Sequence, residues 1–129
     1  MLCTTGDQPA VLRELRRVLT RSGRLGMLVY VAAGPLDNAP EDNHFPTEDE
    51  LARLYAAAGL DVVERVALTD LPATPEPWKD REKAVRDRIA DEHRGDEAWQ
   101  EAGRQEAVVG DLIGSGAVTG QLFVLRPTG

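Results

Sequence analysis

An α/β domain is what these 129 residues predict. Segments with helical periodicity alternate with strand-length apolar runs, in the order helix, strand, helix, strand, two helices, strand. Cap and turn residues mark the boundaries. The run from Leu25 to Val31 is apolar at nearly every position, as in a strand covered on both faces inside an α/β sheet. The length suits one compact domain over residues 1–129, and 42% apolar content is ordinary for a globular fold. With two Phe, two Tyr and two Trp, the core must be built mainly of Leu, Val and Ala.

Gly6-Asp7 supplies the cap of the first helix, and Pro9 suits its first turn. Leu12, Leu15, Val18 and Leu19 give it an apolar stripe, and Gly23 is expected to end it in the left-handed conformation of a C-cap. Strand 25–31 follows. Residues 33–46, with Gly34 and several Pro, Asn and Asp, form a loop. Thr47 caps a second helix, and Glu50 completes a capping box. Leu51, Leu54, Tyr55 and Ala58 make its buried stripe, and Gly59 closes it.

Residues 60–68 read as a strand alternating Val62, Glu64 and Val66 against Val63, Arg65 and Ala67. A proline-broken loop covers 71–77. A strongly charged helix over 80–93 has Trp78, Val85 and Ile89 as its anchors. The next helix starts after a cap at Asp96, carries Trp99, Ala102, Val109, Leu112 and Ile113, and ends at Gly114 and Gly116. The last strand, 117–125, alternates Val118, Leu122 and Val124 with Thr119, Gln121 and Phe123.

A formal charge of −7 argues against general nucleic-acid binding, which needs basic surface to neutralise phosphates. The local cluster Arg13, Arg16, Arg17, Arg21 and Arg24 reads as a solvated helix face with cations near its C-terminus. No stretch approaches the roughly 20 apolar residues of a membrane span, so no membrane partner is expected. The lone Cys3 allows no internal disulfide and suits a cytoplasmic protein. Asp37, Asp42 and His44 share one loop without a recognisable ligand pattern, and no metal site is read there.

Leu2-Cys3, Asp7-Gln8-Pro9 and the stretch Leu15 to Leu25 resemble the segment after strand four in class I S-adenosylmethionine (SAM) dependent methyltransferases of the small-molecule type. Ser22 departs from that pattern, standing where the first Gly of a turn is usual. Asn43-His44-Phe45-Pro46-Thr47, Glu50-Leu51 and Ala58-Gly59-Leu60 are similar to the family's next helix and its exit into strand six. The Trp78 and Trp99 helices with Gly116 resemble its insert before strand seven. The resemblance runs through the whole chain and implies a partial Rossmann-like methyltransferase sheet of strands five, six and seven with flanking helices. This is the C-terminal, substrate-side half of the fold, and its activity would be methyl transfer from SAM to a small-molecule acceptor.

The family's Gly-rich turn after its first strand, which lies against SAM, has no counterpart here, nor does the acidic residue that holds the ribose. The chain is therefore expected to begin near the end of strand four, as a truncated or partner-dependent product. Met1, in a strand position, is read as an internal start or the mark of a truncated gene. In the family's arrangement strand 25–31 has only strand 117–125 beside it. Its other edge is then expected to pair with a second copy or with an N-terminal half. The alternative to a catalytic role is a non-catalytic interaction module using that edge.

By the same resemblance, Cys3, Thr4 and Thr5 lie beside the methionine part of SAM, where α/β folds place ligands at strand ends. Tyr30, Asn43, His44 and Trp78 belong to the acceptor side. Methyl transfer from a sulfonium is a displacement in which alignment dominates. A base is needed only where the acceptor must lose a proton, and His44 has the right chemistry for that. Cys3 has no nameable base partner to make it a nucleophile. His93 reads as a helix-end cation. Anchoring two polar helices to the sheet is the other role open to Trp78 and Trp99.

Overall fold

The computed structural model describes residues 2–129, so the reading of Met1 lies outside the described residues. Leu2–Thr4 form one 3-10 turn rather than the end of a strand. Helix α1 spans Gln8–Val18, with Asp7 Oδ1 accepting the Ala10 N–H at 2.9 Å as the expected cap. The helix stops before Gly23: Leu19 is already extended, and Gly23 lacks a positive φ. A tight turn closed by Gly23 N–H to Thr20 O (3.0 Å) links the helix to the strand instead. Leu12 is wholly buried, whereas Val18, counted in the stripe, closes the last turn and is 62% exposed.

β1 spans Leu25–Ala32, α2 Glu48–Ala57 and β2 Leu60–Ala67. The capping box at α2 is complete in both directions. Gly59 ends α2 with φ +69°, which only glycine adopts without strain, and its carbonyl accepts from Arg16 Nε of α1 at 3.2 Å. α3 begins at Glu76, within the expected loop, and runs to His93. α4 covers Glu97–Gly114, followed by Gly116 at φ +77°. Asp96 holds the N-cap position but makes no capping bond with its side chain; its carboxylate contacts His93 Nδ1 at 2.7 Å instead. β3 is Val118–Pro127.

The three strands form one sheet in the order β1-β3-β2, with β3 central and antiparallel to both neighbours. α1 and α2 cover one face, where Leu12, Leu51 and Tyr55 share a core with Val29, Phe123 and Leu125. Tyr55 and Phe123 meet edge to face at 5.6 Å between ring centres. Coverage of β1 on both faces, expected from its apolar run, is only partial: on the second face Ala32 is buried with Val118 opposite it, whereas Leu28 is 50% exposed.

The alternation read in β3 holds, and that in β2 is corrected. In β3 Gln121, Phe123 and Leu125 are buried on one face; of the opposite set Val118 is wholly buried and Leu122 and Val124 are half-buried. Gln121 is tolerated inside because Arg65 Nε donates to its amide oxygen (3.1 Å) and its own NH₂ reaches Thr119 Oγ1 (3.2 Å). In β2 a bulge between Val62 and Glu64 breaks the period, so Val62 and Arg65 fall on the same side. Arg65 there lies 5.8 Å over the Phe123 ring and pairs with Glu48 of α2.

α3 and α4 form a hairpin that leaves β2 and returns to β3. No residue of α3 is buried, and Trp78 is 69% exposed. Neither Trp78 nor Trp99 belongs to the core, so neither anchors its helix to the sheet; α4 is held through Leu112. No helix among the described residues is long and apolar enough to cross a membrane.

Candidate functional site

Two chain segments far apart in sequence meet at the rim where β1 ends. The N–H of His44 donates to the Cys3 carbonyl at 2.8 Å, tying the loop after β1 to the turn at Leu2–Thr4. Gln8, in the first turn of α1 and buried, reinforces that tie with its side-chain amide. Its NH₂ donates to Leu2 O (3.1 Å) and to His44 O (3.3 Å). Gln8 enters the sequence reading only within Asp7-Gln8-Pro9 and with no role of its own, because a buried glutamine at the start of a helix looks like an exposed one until its partners are known.

This tie gathers Thr4, Thr5, Asn43 and His44 around one polar cleft of about 560 Å³, together with Gly6, Gln8 and Pro9. Asn43 and His44 also line a neighbouring hollow of about 420 Å³ beside Phe45, Thr47 and Glu50. The His44 ring is largely exposed, with Nε2 3.8 Å from Glu50 Oε2. Glu50 is held by the Thr47 N–H at 2.8 Å. That hydrogen bond is the main reason its carboxyl is kept below the ordinary carboxylate value, and nearby His44 adds to it.

Cys3 lies beneath the cleft rather than in it. It is buried, its thiol faces Tyr30 O at 3.5 Å, and burial pushes its pKa up against the weaker pull of that contact. A thiol so placed is a poor nucleophile. Tyr55 is also buried, its hydroxyl makes no hydrogen bond among the described residues, and burial drives its pKa well above the usual tyrosine range.

Tyr30 and Trp78 do not join the cleft. Tyr30 lies on the open face of the sheet, directly across the ladder from Gly120. A Cβ on Gly120 would come within 3.4 Å of Tyr30 Cε1 and 2.9 Å of Leu68 Cγ, so the absence of a side chain lets Tyr30 and Leu68 close over the strand. Trp78 lines a separate groove between α3 and α4. Among the described residues no group of three His, Cys, Asp or Glu side chains is arranged to hold a metal ion.

No family model matches the sequence, and no curated protein matches it. Solved structures do resemble it. The [4+2]-cyclase SpnF aligns over 100% of this chain and 47% of its own, with a TM-score of 0.64 at 22% identity. The O-methyltransferase of a trans-AT PKS multienzyme of Brevibacillus brevis, in complex with S-adenosyl-L-homocysteine, aligns over 97% of this chain and 40% of its own (TM-score 0.59, 17% identity). The cyclopropane synthase MmaA2 from Mycobacterium tuberculosis aligns over 93% and 50% (TM-score 0.61, 14% identity). The chain thus spans half or less of the length of each of these proteins. At such identities the likeness is one of fold: this chain has a methyltransferase-like α/β fold with a three-stranded antiparallel sheet and flanking helices.

Proposed function

We propose that the chain forms the substrate-side part of a SAM-dependent methyltransferase domain acting on a small-molecule acceptor. β1, β2 and β3 then correspond to strands five, six and seven of that fold, an assignment supported by the order β1-β3-β2 with β3 antiparallel. The observation that carries the reading is the cleft at the end of β1, where Thr4, Thr5, Asn43 and His44 meet. Hydroxyls and amides there suit the polar amino-acid end of SAM. His44, exposed beside Glu50, is placed to accept a proton from an acceptor hydroxyl or amine.

The residues present fit only one side of the cofactor. None of the three strands runs into a Gly-rich turn opening a helix, the element that meets SAM in the resembling family. The rest of the site must come from further polypeptide, docked along the free edge of β1. In an antiparallel ladder alternate residues turn their N–H and C=O groups away from the partner. Tyr30 O and Ala32 N–H do so in β1, meeting Cys3 and Pro46 respectively, which leaves the outward groups of Gly26 and Leu28 for a strand alongside.

Calorimetric titration of S-adenosylhomocysteine into the 129-residue chain tests this. No saturable heat at micromolar ligand is expected. Saturable micromolar binding would show that these three strands form a whole cofactor site and would overturn the substrate-side reading.

A further inference from the structure

The hairpin of α3 and α4 carries a second feature, separate from the rim of β1 and independent of the methyl-transfer reading. Between the two helices runs an open apolar groove of about 660 Å³, within the roughly 300–1,000 Å³ of small-molecule sites. Trp78, Val85 and Ile89 line it from α3, and Trp99 and Ala102 from α4. Water-exposed Trp78, Val85 and Ile89 in one place mark a surface that gains by being covered.

The charges around the groove indicate what covers it. Lys79, Lys83, Arg86, Arg88, Arg94 and Arg104 each face a carboxylate of their own hairpin. Arg86 closes the middle of the groove, bridging Glu106 of α4 (2.8 Å) and Glu82 of its own helix (3.5 Å). Among the described residues Arg81 is the one Lys or Arg of the hairpin with no such partner, and it lines the groove one turn from Trp78. An ammonium ligand would meet Arg81 with like charge, and a neutral one would leave it unanswered.

We propose that the α3–α4 groove binds an amphiphile with one anionic end, a carboxylate or phosphate, set on Arg81, and an apolar body between Trp78 and Trp99. The body replaces water along Val85, Ile89 and Ala102, and the guanidinium gives the head group a planar two-donor fork.

The chain's two tryptophans both line the groove, so tryptophan emission, excited selectively over Tyr30 and Tyr55, reports on this site alone. Sodium decanoate, below its aggregation concentration, is the probe, and 1-decanol its neutral counterpart. Saturable quenching by decanoate, tighter than by decanol, is expected. Arg81→Gln should weaken decanoate by about fivefold, the upper range for an exposed ion pair, and leave decanol unchanged. Ala102→Phe, which fills the groove from an exposed helix position, should abolish both responses with helicity unchanged by circular dichroism. Equal binding of the two probes with no effect of Arg81→Gln, or no saturable response, would overturn the proposal. So would a fluorescence change that follows protein concentration instead of probe, which would make the groove a contact between copies.

Discussion

The His44 N–H and the Cys3 carbonyl, 41 positions apart in the chain by number, are joined at 2.8 Å. That bond fixes the loop after β1 against the first turn of the chain. Because Gln8 donates to the carbonyls on either side of it, three hydrogen bonds hold the rim, in addition to the packing of buried Leu2, Cys3 and Phe45. The candidate residues on it, Thr4, Thr5, Asn43 and His44, are displayed by backbone that the tie holds in place.

Gln8→Ala leaves the Leu2 and His44 carbonyls without their buried donor. It should cost about 1–3 kcal/mol in urea unfolding. His44→Ala removes a mostly exposed ring and should stay within about 0.5 kcal/mol of the parent. Equal losses in the two variants would mean that the ring, not the amide tie, holds the rim.

Gly120→Ala places a methyl group against Tyr30 and Leu68. Overpacking of this kind should cost about 1–3 kcal/mol. Adding Leu68→Ala should recover part of that loss in a double-mutant cycle, since Leu68 is the side chain that the new methyl meets most closely. Strictly additive effects would show that the strain lies elsewhere.

The Tyr55 hydroxyl is buried without a hydrogen bond among the described residues, so its ring contributes and its oxygen does not. Tyr55→Phe keeps the edge-to-face contact with Phe123. It should be neutral or stabilising by up to about 1 kcal/mol, read from the thermal midpoint. A clear loss of stability would reveal a partner for that hydroxyl.

Glu50 titrates below its ordinary value of 4.5 in the folded chain, chiefly because its carboxylate accepts the Thr47 N–H. A depressed folded value contributes stability that is present above 4.5 and is lost as pH falls through the folded value. Glu50→Gln keeps an oxygen for the capping box and should match the parent near pH 7, within about 0.5 kcal/mol. Below pH 4.5 the stability difference between the two should move in favour of the variant, since only the parent has this proton to take up. A difference that does not change with pH would remove Glu50 from the acid response.

Local chemistry made the helix starts legible: Asp7 and the Thr47–Glu50 box act as their residue types predict. Gly59 and Gly116 take positive φ where a chain must turn out of a helix, while Gly23 does not, because Leu19 had already ended its helix. Burial was harder to read. An apolar run such as Leu25 to Val31 looks the same whether one face or two are covered, and a single bulge at Val62 and Glu64 shifts the side of every later residue. Trp78 was the furthest from expectation, since aromatic character predicts burial and nothing local says that the helix carrying it lies away from the core. The gathering of Thr4, Thr5, Asn43 and His44 depends on a backbone bond and a buried amide, neither of which leaves a sequence pattern.

Amide chemical-shift mapping of the 129-residue chain with millimolar S-adenosylhomocysteine tests the central claim most directly. Shifts are predicted at Thr4, Thr5, Gly6, Asn43 and His44, with none along α3 and α4, as for weak binding to one side of a shared site. Unshifted rim amides, or shifts confined to the α3–α4 hairpin, would contradict the assignment of this rim to the cofactor.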